Sequence, residues 1–211
     1  MGILVITRLT DIELEQIRGV IFDLDGTLAH SNPDFKGLRA ALGIGSGTDI
    51  LEHIHNLETT MAKMQALEIV HDYELASSRQ ASWIEGAQAL ITFLKARQLP
   101  LAILTRNMPE AAKITIEKLG IDIPLVLTRY DAEPKPHPQG IHLICEQWQL
   151  SPADILYVGD YLFDLQTAQN AGSRCALYCP EDVPDYALAA DLLIGNYQSF
   201  IEAWAVAIPK D

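Results

Sequence analysis

The 211-residue sequence predicts an α/β fold, a parallel β-sheet with helices on both faces, interrupted by a small all-helical insertion. Three observations carry that reading. Short apolar runs alternate with longer segments of helical periodicity, as in strand–helix–strand units. Residues 34–82 break the alternation, with helical spacing and no strand-like run. Several apolar runs also stop abruptly at acids, a hydroxyl or a lysine, at the edge where an open parallel sheet binds its ligands.

In chain order, Thr10-Asp-Ile-Glu13 has the form of a capping box and predicts a short helix to about Arg18. Val20–Phe22 is short, branched and aromatic, and sits between Gly19 and the acidic pair Asp23/Asp25, which predicts a buried strand. His30-Ser31-Asn32-Pro33 then breaks regular structure. Beyond it Phe35, Leu38 and Leu42, then Ile50, Leu51, Ile54, Leu57, Met61 and Met64, recur at helical steps on either side of the loop Gly43–Gly47. A further helix is expected over about His71–Arg79.

The α/β alternation resumes at Trp83, with a helix between Gly86 and Gln98 marked by Leu90, Phe93 and Leu94. Leu101–Leu104 reads as a buried strand ending in Thr105-Arg106-Asn107, and Pro109 begins a helix that ends near Gly120. Leu125–Leu127 is a short strand, followed by the loop Asp131–Pro138 and a helix over Gly140–Trp148. Ser151-Pro152 has a helix-start pattern, Ile155–Val158 is a strand ending in Gly159-Asp160, and Asp164 opens a helix to about Ala171. Cys175–Tyr178 and Leu192–Ile194 are the last strands, with a closing helix over Tyr197–Val206. The expected division is a core of residues 1–29 and 84–211 around a helical insertion at 30–83.

Composition excludes several function classes. Net charge is −13 and the isoelectric point about 4.7, which argues against nucleic acid or an anionic membrane as the main partner. The N-terminal residues show no basic lead or small-residue cleavage site, and Ile6 stands where a myristoylation pattern at Gly2 needs Ser or Thr. No apolar run approaches the length of a membrane span. Cys145, Cys175 and Cys179 have neither disulfide-framework nor metal spacing and read as reduced core thiols. His53 and His55 fall on opposite sides of a helix, without a third ligand, and read as surface residues. The expectation is a soluble cytoplasmic protein, a monomer or small homo-oligomer.

The acidic pair is the first chemical signal. Two carboxylates one residue apart repel each other and call for a cation or a shared proton, and Gly26 allows a sharp turn close to a ligand. Alone, the stretch also fits an Asp-Gly hairpin turn; a calcium loop fits less well, because the glycine comes too early. With Thr105, the Lys135 loop and Asp160/Asp164 on the same sheet edge, the pair becomes a site for a divalent cation and an anionic substrate. A hard cation such as Mg²⁺ takes one or two carboxylates and keeps its other positions for water and phosphate oxygens.

Asp23-Leu-Asp25-Gly26-Thr27, Thr105 at a strand end, Lys135-Pro136 and Gly159-Asp160-x-x-x-Asp164 occur in that order, and together they resemble the motifs of the haloacid dehalogenase superfamily of hydrolases. The likeness covers nearly the whole chain outside the insertion. It implies a Rossmann-like core, a mobile helical cap at the insertion and a Mg²⁺-dependent reaction on a small phosphorylated metabolite. Asp23 would be the nucleophile, forming an aspartyl-phosphate. Asp25 would protonate the leaving oxygen and then activate water, helped by neighbours that raise its pKa. Asp23, the backbone carbonyl of Asp25 and Asp160 would hold the metal, with Asp164 a further ligand or an orienting residue. Thr105 and Lys135 would bind and neutralise the phosphoryl group, with backbone donors near Gly26 and Asn107.

Asp25 resembles the phosphatases rather than the dehalogenases, whose leaving group needs no proton, and Thr27 agrees with that. The insertion resembles the cap of phosphoglycolate-phosphatase-like members, though it is shorter. Lys36 and Lys63 lie in it, without the context of the Schiff-base lysine of phosphonatase-like members. Arg39, Arg79 and Arg106 are candidates to read a substrate carboxylate or second phosphate. A phosphomutase using the same residues, a non-catalytic phosphate-binding module and a protein phosphatase are the alternatives.

Overall fold

The computed structural model describes residues 6–31 and 34–207. The readings made at Met1, Gly2 and Asn32-Pro33 lie outside these residues.

A seven-stranded sheet forms the centre, built from β1 (Ile6–Arg8), β2 (Gly19–Phe22), β5 (Leu101–Leu104), β6 (Leu125–Leu127), β7 (Ile155–Gly159), β8 (Arg174–Tyr178) and β9 (Leu192–Ile194). Their order across the sheet is β1-β9-β8-β7-β2-β5-β6. All pairs are parallel except β1 with β9, an antiparallel edge that the sequence pattern did not announce. β2 lies where the order reverses, between β5 and β7, so its carboxyl end opens into the crevice of the sheet.

Strand residues alternate between two apolar layers, as the period of two requires. Val20, Phe22, Ile103 and Val158 face a layer with helices α4 (Ala87–Ala96), α5 (Pro109–Leu119) and α8 (Tyr197–Ala207), centred on Leu90, Tyr197, Phe200 and Trp204. Ile21, Leu104, Ile155 and Tyr157 face α6 (Gln139–Trp148) and α7 (Leu162–Ala171) through Ile144, Leu165 and Ala168. Burying each such large side chain contributes about 1.5–3 kcal/mol. Cys145, Cys175 and Cys179 are free and buried.

The insertion is helical: α1 (Phe35–Leu42), α2 (Ile50–His55) and α3 (Thr60–Ser78). Asp34, Asp49 and Thr59 cap them, each side chain accepting from a backbone N–H three residues on. Leu38, Ile54, Ala66 and Val70 form a small core with Leu42, Ile50 and Leu57. A two-residue ribbon, β3 (Ala29–His30) against β4 (Ser82–Trp83), ties the ends of the insertion together. Leu75 on α3 packs on Met108, Ala111 and Ile114 of the core.

Three local expectations are corrected. The capping box at Thr10 opens no α-helix: only Leu14–Gln16 forms a 3₁₀ turn, because the Thr10 hydroxyl donates instead to Asp191, at 2.7 Å. The helix expected over His71–Arg79 is the second half of the single 19-residue α3. Met61 and Met64 lie on its exposed side, 71% and 66% accessible, since periodicity fixes a stripe but not what covers it. Ser151-Pro152 starts only a 3₁₀ turn over Pro152–Asp154.

Candidate active site

β2 delivers Asp23 to the crevice, and the Asp23 N–H donates to the Val158 carbonyl of β7 at 2.9 Å. The chain then turns over Gly26, which has φ +83°; a Cβ there would lie 2.2 Å from an Asp160 carboxylate oxygen, so glycine is needed both for the turn and for the close approach. Gly159 serves the other side of the site: its missing Cβ leaves room for the Asp164 side chain. The Asp23, Asp160 and Asp164 carboxylates each offer an oxygen within 4.8 Å of the others.

One ammonium serves this cluster. Lys135 Nζ lies 2.7 Å from Asp23 Oδ1 and 2.6 Å from Asp164 Oδ1, with its side chain 4% exposed. Asp164 accepts three hydrogen bonds, Oδ1 accepting also from the Tyr157 hydroxyl at 3.1 Å and Oδ2 from the Tyr161 N–H at 2.9 Å. It sits at the third residue of α7 rather than at its cap. Asp160 accepts from the Thr27 hydroxyl at 3.3 Å, and the Thr27 carbonyl accepts from the Tyr197 hydroxyl at 2.8 Å.

Asp25 stands beside the cluster, its carboxylate held by the Asn107 side-chain amide. Thr105 is buried and accepts from the Asn107 N–H at 3.1 Å; it is no helix cap, since α5 is capped at Met108. The Gly26 N–H donates to the Ala29 carbonyl, so neither it nor the Asn107 N–H is a free donor in this structure. Arg106 turns away from the carboxylates to Asp49 of the insertion, at 2.7 Å. Arg39 donates to the Thr48 carbonyl, and Arg79 is exposed.

Tyr157, Asp49, Glu74 and Arg129 belong to none of the motifs. Tyr157 does interrupt an otherwise aliphatic strand, a signal for a buried hydroxyl with a job. Arg129 pairs with Glu74 of α3 and donates to the Arg106 carbonyl at 2.9 Å, while Glu74 also accepts from the Met108 N–H at 3.1 Å. Such pairs are set by how the insertion docks.

Burial raises the Asp23 carboxyl to about 7, against the attraction of Lys135 and with the help of the Asp164 charge. Burial likewise raises Asp160 to about 8, with Asp23 and Asp164 adding repulsion. Asp25 is also raised by burial, moderated by hydrogen bonds from Ser31 and Asn107. Burial alone would lower Lys135, but the Asp164 and Asp23 charges outweigh it and hold the ammonium protonated. The site therefore holds more buried negative charge than Lys135 can neutralise. A divalent cation among these oxygens fits that surplus.

A carboxyl whose native pKa lies above its unfolded value binds more proton when folded, so stability falls as pH rises between the two values. For Asp23 and Asp160 that window runs from 3.8 to about 7 and about 8. Mg²⁺ added to metal-free protein is therefore expected to raise the melting temperature more at pH 8 than at pH 6. The same difference should shrink in Asp160→Asn. Equal stabilisation at both pH values in wild type would contradict this electrostatic account.

The comparisons with known proteins agree with the geometry. Residues 20–178 match the family model described as haloacid dehalogenase-like hydrolase. The chain belongs to that family. It is 30% identical over 86% of its length to a haloacid dehalogenase-like hydrolase domain-containing protein of Arabidopsis thaliana, covering 81% of that relative. A phosphoglycolate phosphatase of Pectobacterium atrosepticum is 29% identical over 77% of this chain and 80% of its own. In structure, a hydrolase from Pseudomonas syringae superposes with a TM-score of 0.73 at 21% identity, over 90% of this chain and 98% of that one, a likeness of fold. The family expected from the four motifs and the Rossmann-like core are both borne out, with phosphoglycolate-phosphatase-like relatives. Among the described residues no helix is long and apolar enough to cross a membrane.

Proposed function

We propose that this haloacid dehalogenase-like hydrolase is a Mg²⁺-dependent phosphatase that cleaves a small phosphate monoester through an aspartyl-phosphate on Asp23. One observation carries the reading: Asp23, Asp160 and Asp164 converge within 4.8 Å around a single lysine, with Asp25 and its raised pKa alongside. Asp23, the Asp25 carbonyl and Asp160 would hold Mg²⁺. Asp164, whose two oxygens already accept three hydrogen bonds, would orient Lys135 and the loop. Bound Mg²⁺ supplies charge neutralisation for the phosphoryl oxygens.

In the first step an Asp23 carboxylate oxygen attacks phosphorus and the bond to the leaving oxygen breaks. Asp25, whose pKa burial raises, would give that oxygen its proton and become the base. In the second step Asp25 takes a proton from water, which attacks the phosphoryl group and frees Asp23 and inorganic phosphate. Lys135 offsets the charge on Asp23 and on the phosphoryl oxygens, and Thr105 and Asn107 would line the phosphate pocket next to Gly26. The insertion at 30–83 would act as a cap that excludes bulk water. Buried free cysteines and a net charge of −13 support a cytoplasmic setting and a small metabolite, not nucleic acid or a membrane, as partner.

Hydrolysis of 4-nitrophenyl phosphate tests this reading. With Mg²⁺ turnover is expected, and EDTA should lower it at least about a hundredfold, reversibly on adding Mg²⁺ back. Equal rates with Mg²⁺ and EDTA would contradict the metal dependence. A phosphopeptide hydrolysed faster than small phosphate esters would favour the protein phosphatase reading.

A further inference from the structure

We propose that the Asp49–Arg106 pair sets charge selectivity on the leaving-group side of the site, favouring phosphate monoesters whose leaving group carries no second negative charge. The inference rests on the phosphatase reading above. Arg106 lies between Thr105 and Asn107, and Asn107 holds Asp25, so its backbone is fixed at the catalytic rim. Its guanidinium stacks over the Phe163 ring at 4.5 Å, next to Asp164 in sequence. An arginine so placed looks made to read a substrate carboxylate.

The insertion takes it first. Arg106 Nη2 donates to Asp49 Oδ1 at 2.9 Å and lies 2.7 Å from Oδ2, and the two side chains are only 23% and 18% exposed. Asp49 is itself held, because it caps α2 and accepts from the Glu52 N–H at 2.8 Å. The pair is thus a fixed, half-desolvated neutral unit rather than a loose surface contact. Arg129, the neighbouring arginine, is matched by Glu74 in the same way. Below them the catalytic carboxylates outnumber Lys135.

A second anionic group on the substrate would therefore meet Arg106 and Arg129 already paired with carboxylates. It would have to displace Asp49, leaving that carboxylate unpaired beside it. Like charges placed together at an interface discriminate strongly against the wrong partner. An uncharged leaving group suffers no such penalty.

The test compares two esters that differ in one group, propyl phosphate and 3-(phosphonooxy)propanoate, with Mg²⁺ present. Wild type is expected to prefer propyl phosphate in kcat/KM by about tenfold or more. Asp49→Asn keeps an equally good helix cap while removing the masking charge, and should move the ratio about tenfold towards the carboxylate ester. Adding Arg106→Gln to that variant should return the ratio towards wild type. Because the readout is a ratio within one protein sample, partial misfolding lowers both rates and does not mimic the shift. A wild-type preference for the carboxylate ester, or a ratio unmoved by Asp49→Asn, overturns the proposal. Hydrolysis of neither ester, nor of 4-nitrophenyl phosphate, would instead remove the phosphatase reading, and this inference with it.

Discussion

Asp25→Asn is expected to release one equivalent of 4-nitrophenol from 4-nitrophenyl phosphate and then stall. The nitrophenolate leaves without a proton, so transfer of the phosphoryl group to Asp23 survives the substitution. The following hydrolysis needs a base, and asparagine is none. Steady-state turnover should fall about 10²–10⁴-fold, the usual size of a general acid–base contribution. With an alkyl phosphate both steps need Asp25, so the burst should vanish as well. The substitution is mild for the fold: burial already disfavours charge at Asp25, and the Asn107 amide still faces a carboxamide oxygen. An undiminished steady-state rate would remove Asp25 from the acid–base role.

The second large effect is on stability. Lys135→Met keeps most of the stem of the side chain but leaves Asp23 and Asp164 facing each other in a buried site with no lysine between them. Removing one partner of a buried pair typically costs about 3–5 kcal/mol. For a chain of this size that corresponds to a melting point lower by about 6–20 °C in EDTA. Mg²⁺ should recover part of the loss, and Asp164→Asn combined with Lys135→Met should be less damaging than Lys135→Met alone. A single variant as stable as wild type at pH 8 would show that the cluster is not strained by its charge.

The central strands were legible because they are buried on both faces: β2, β5, β7, β8 and β9 carry uninterrupted apolar runs that no surface element resembles. β1 was not legible, since Ile6-Thr7-Arg8 is short and pairs with β9, nearly two hundred residues away. The same distance defeated the capping box, where Asp191 competes for the Thr10 hydroxyl. In the insertion, spacing marks the helices but not which stripe is covered, and Met61 and Met64 face outward.

At the site, the acids and Lys135 were legible because each follows a strand that the sheet aligns with the others. Asp49, Glu74 and Arg129 were not, because their roles arise only when layers meet. Arg106 shows the limit best: its place beside Thr105 follows from the strand, whereas its partner Asp49 comes from a helix that only tertiary packing brings near.

The central claim is that the phosphoryl group passes through Asp23. Asp25→Asn, quenched in acid after its nitrophenol burst with Mg²⁺ present, should yield a single phosphorylated peptide, the one containing Asp23, by mass spectrometry. Asp23→Asn should give neither burst nor phosphopeptide. A phosphoryl group found on another residue, or an Asp23→Asn enzyme that turns over near the wild-type rate, would contradict the account.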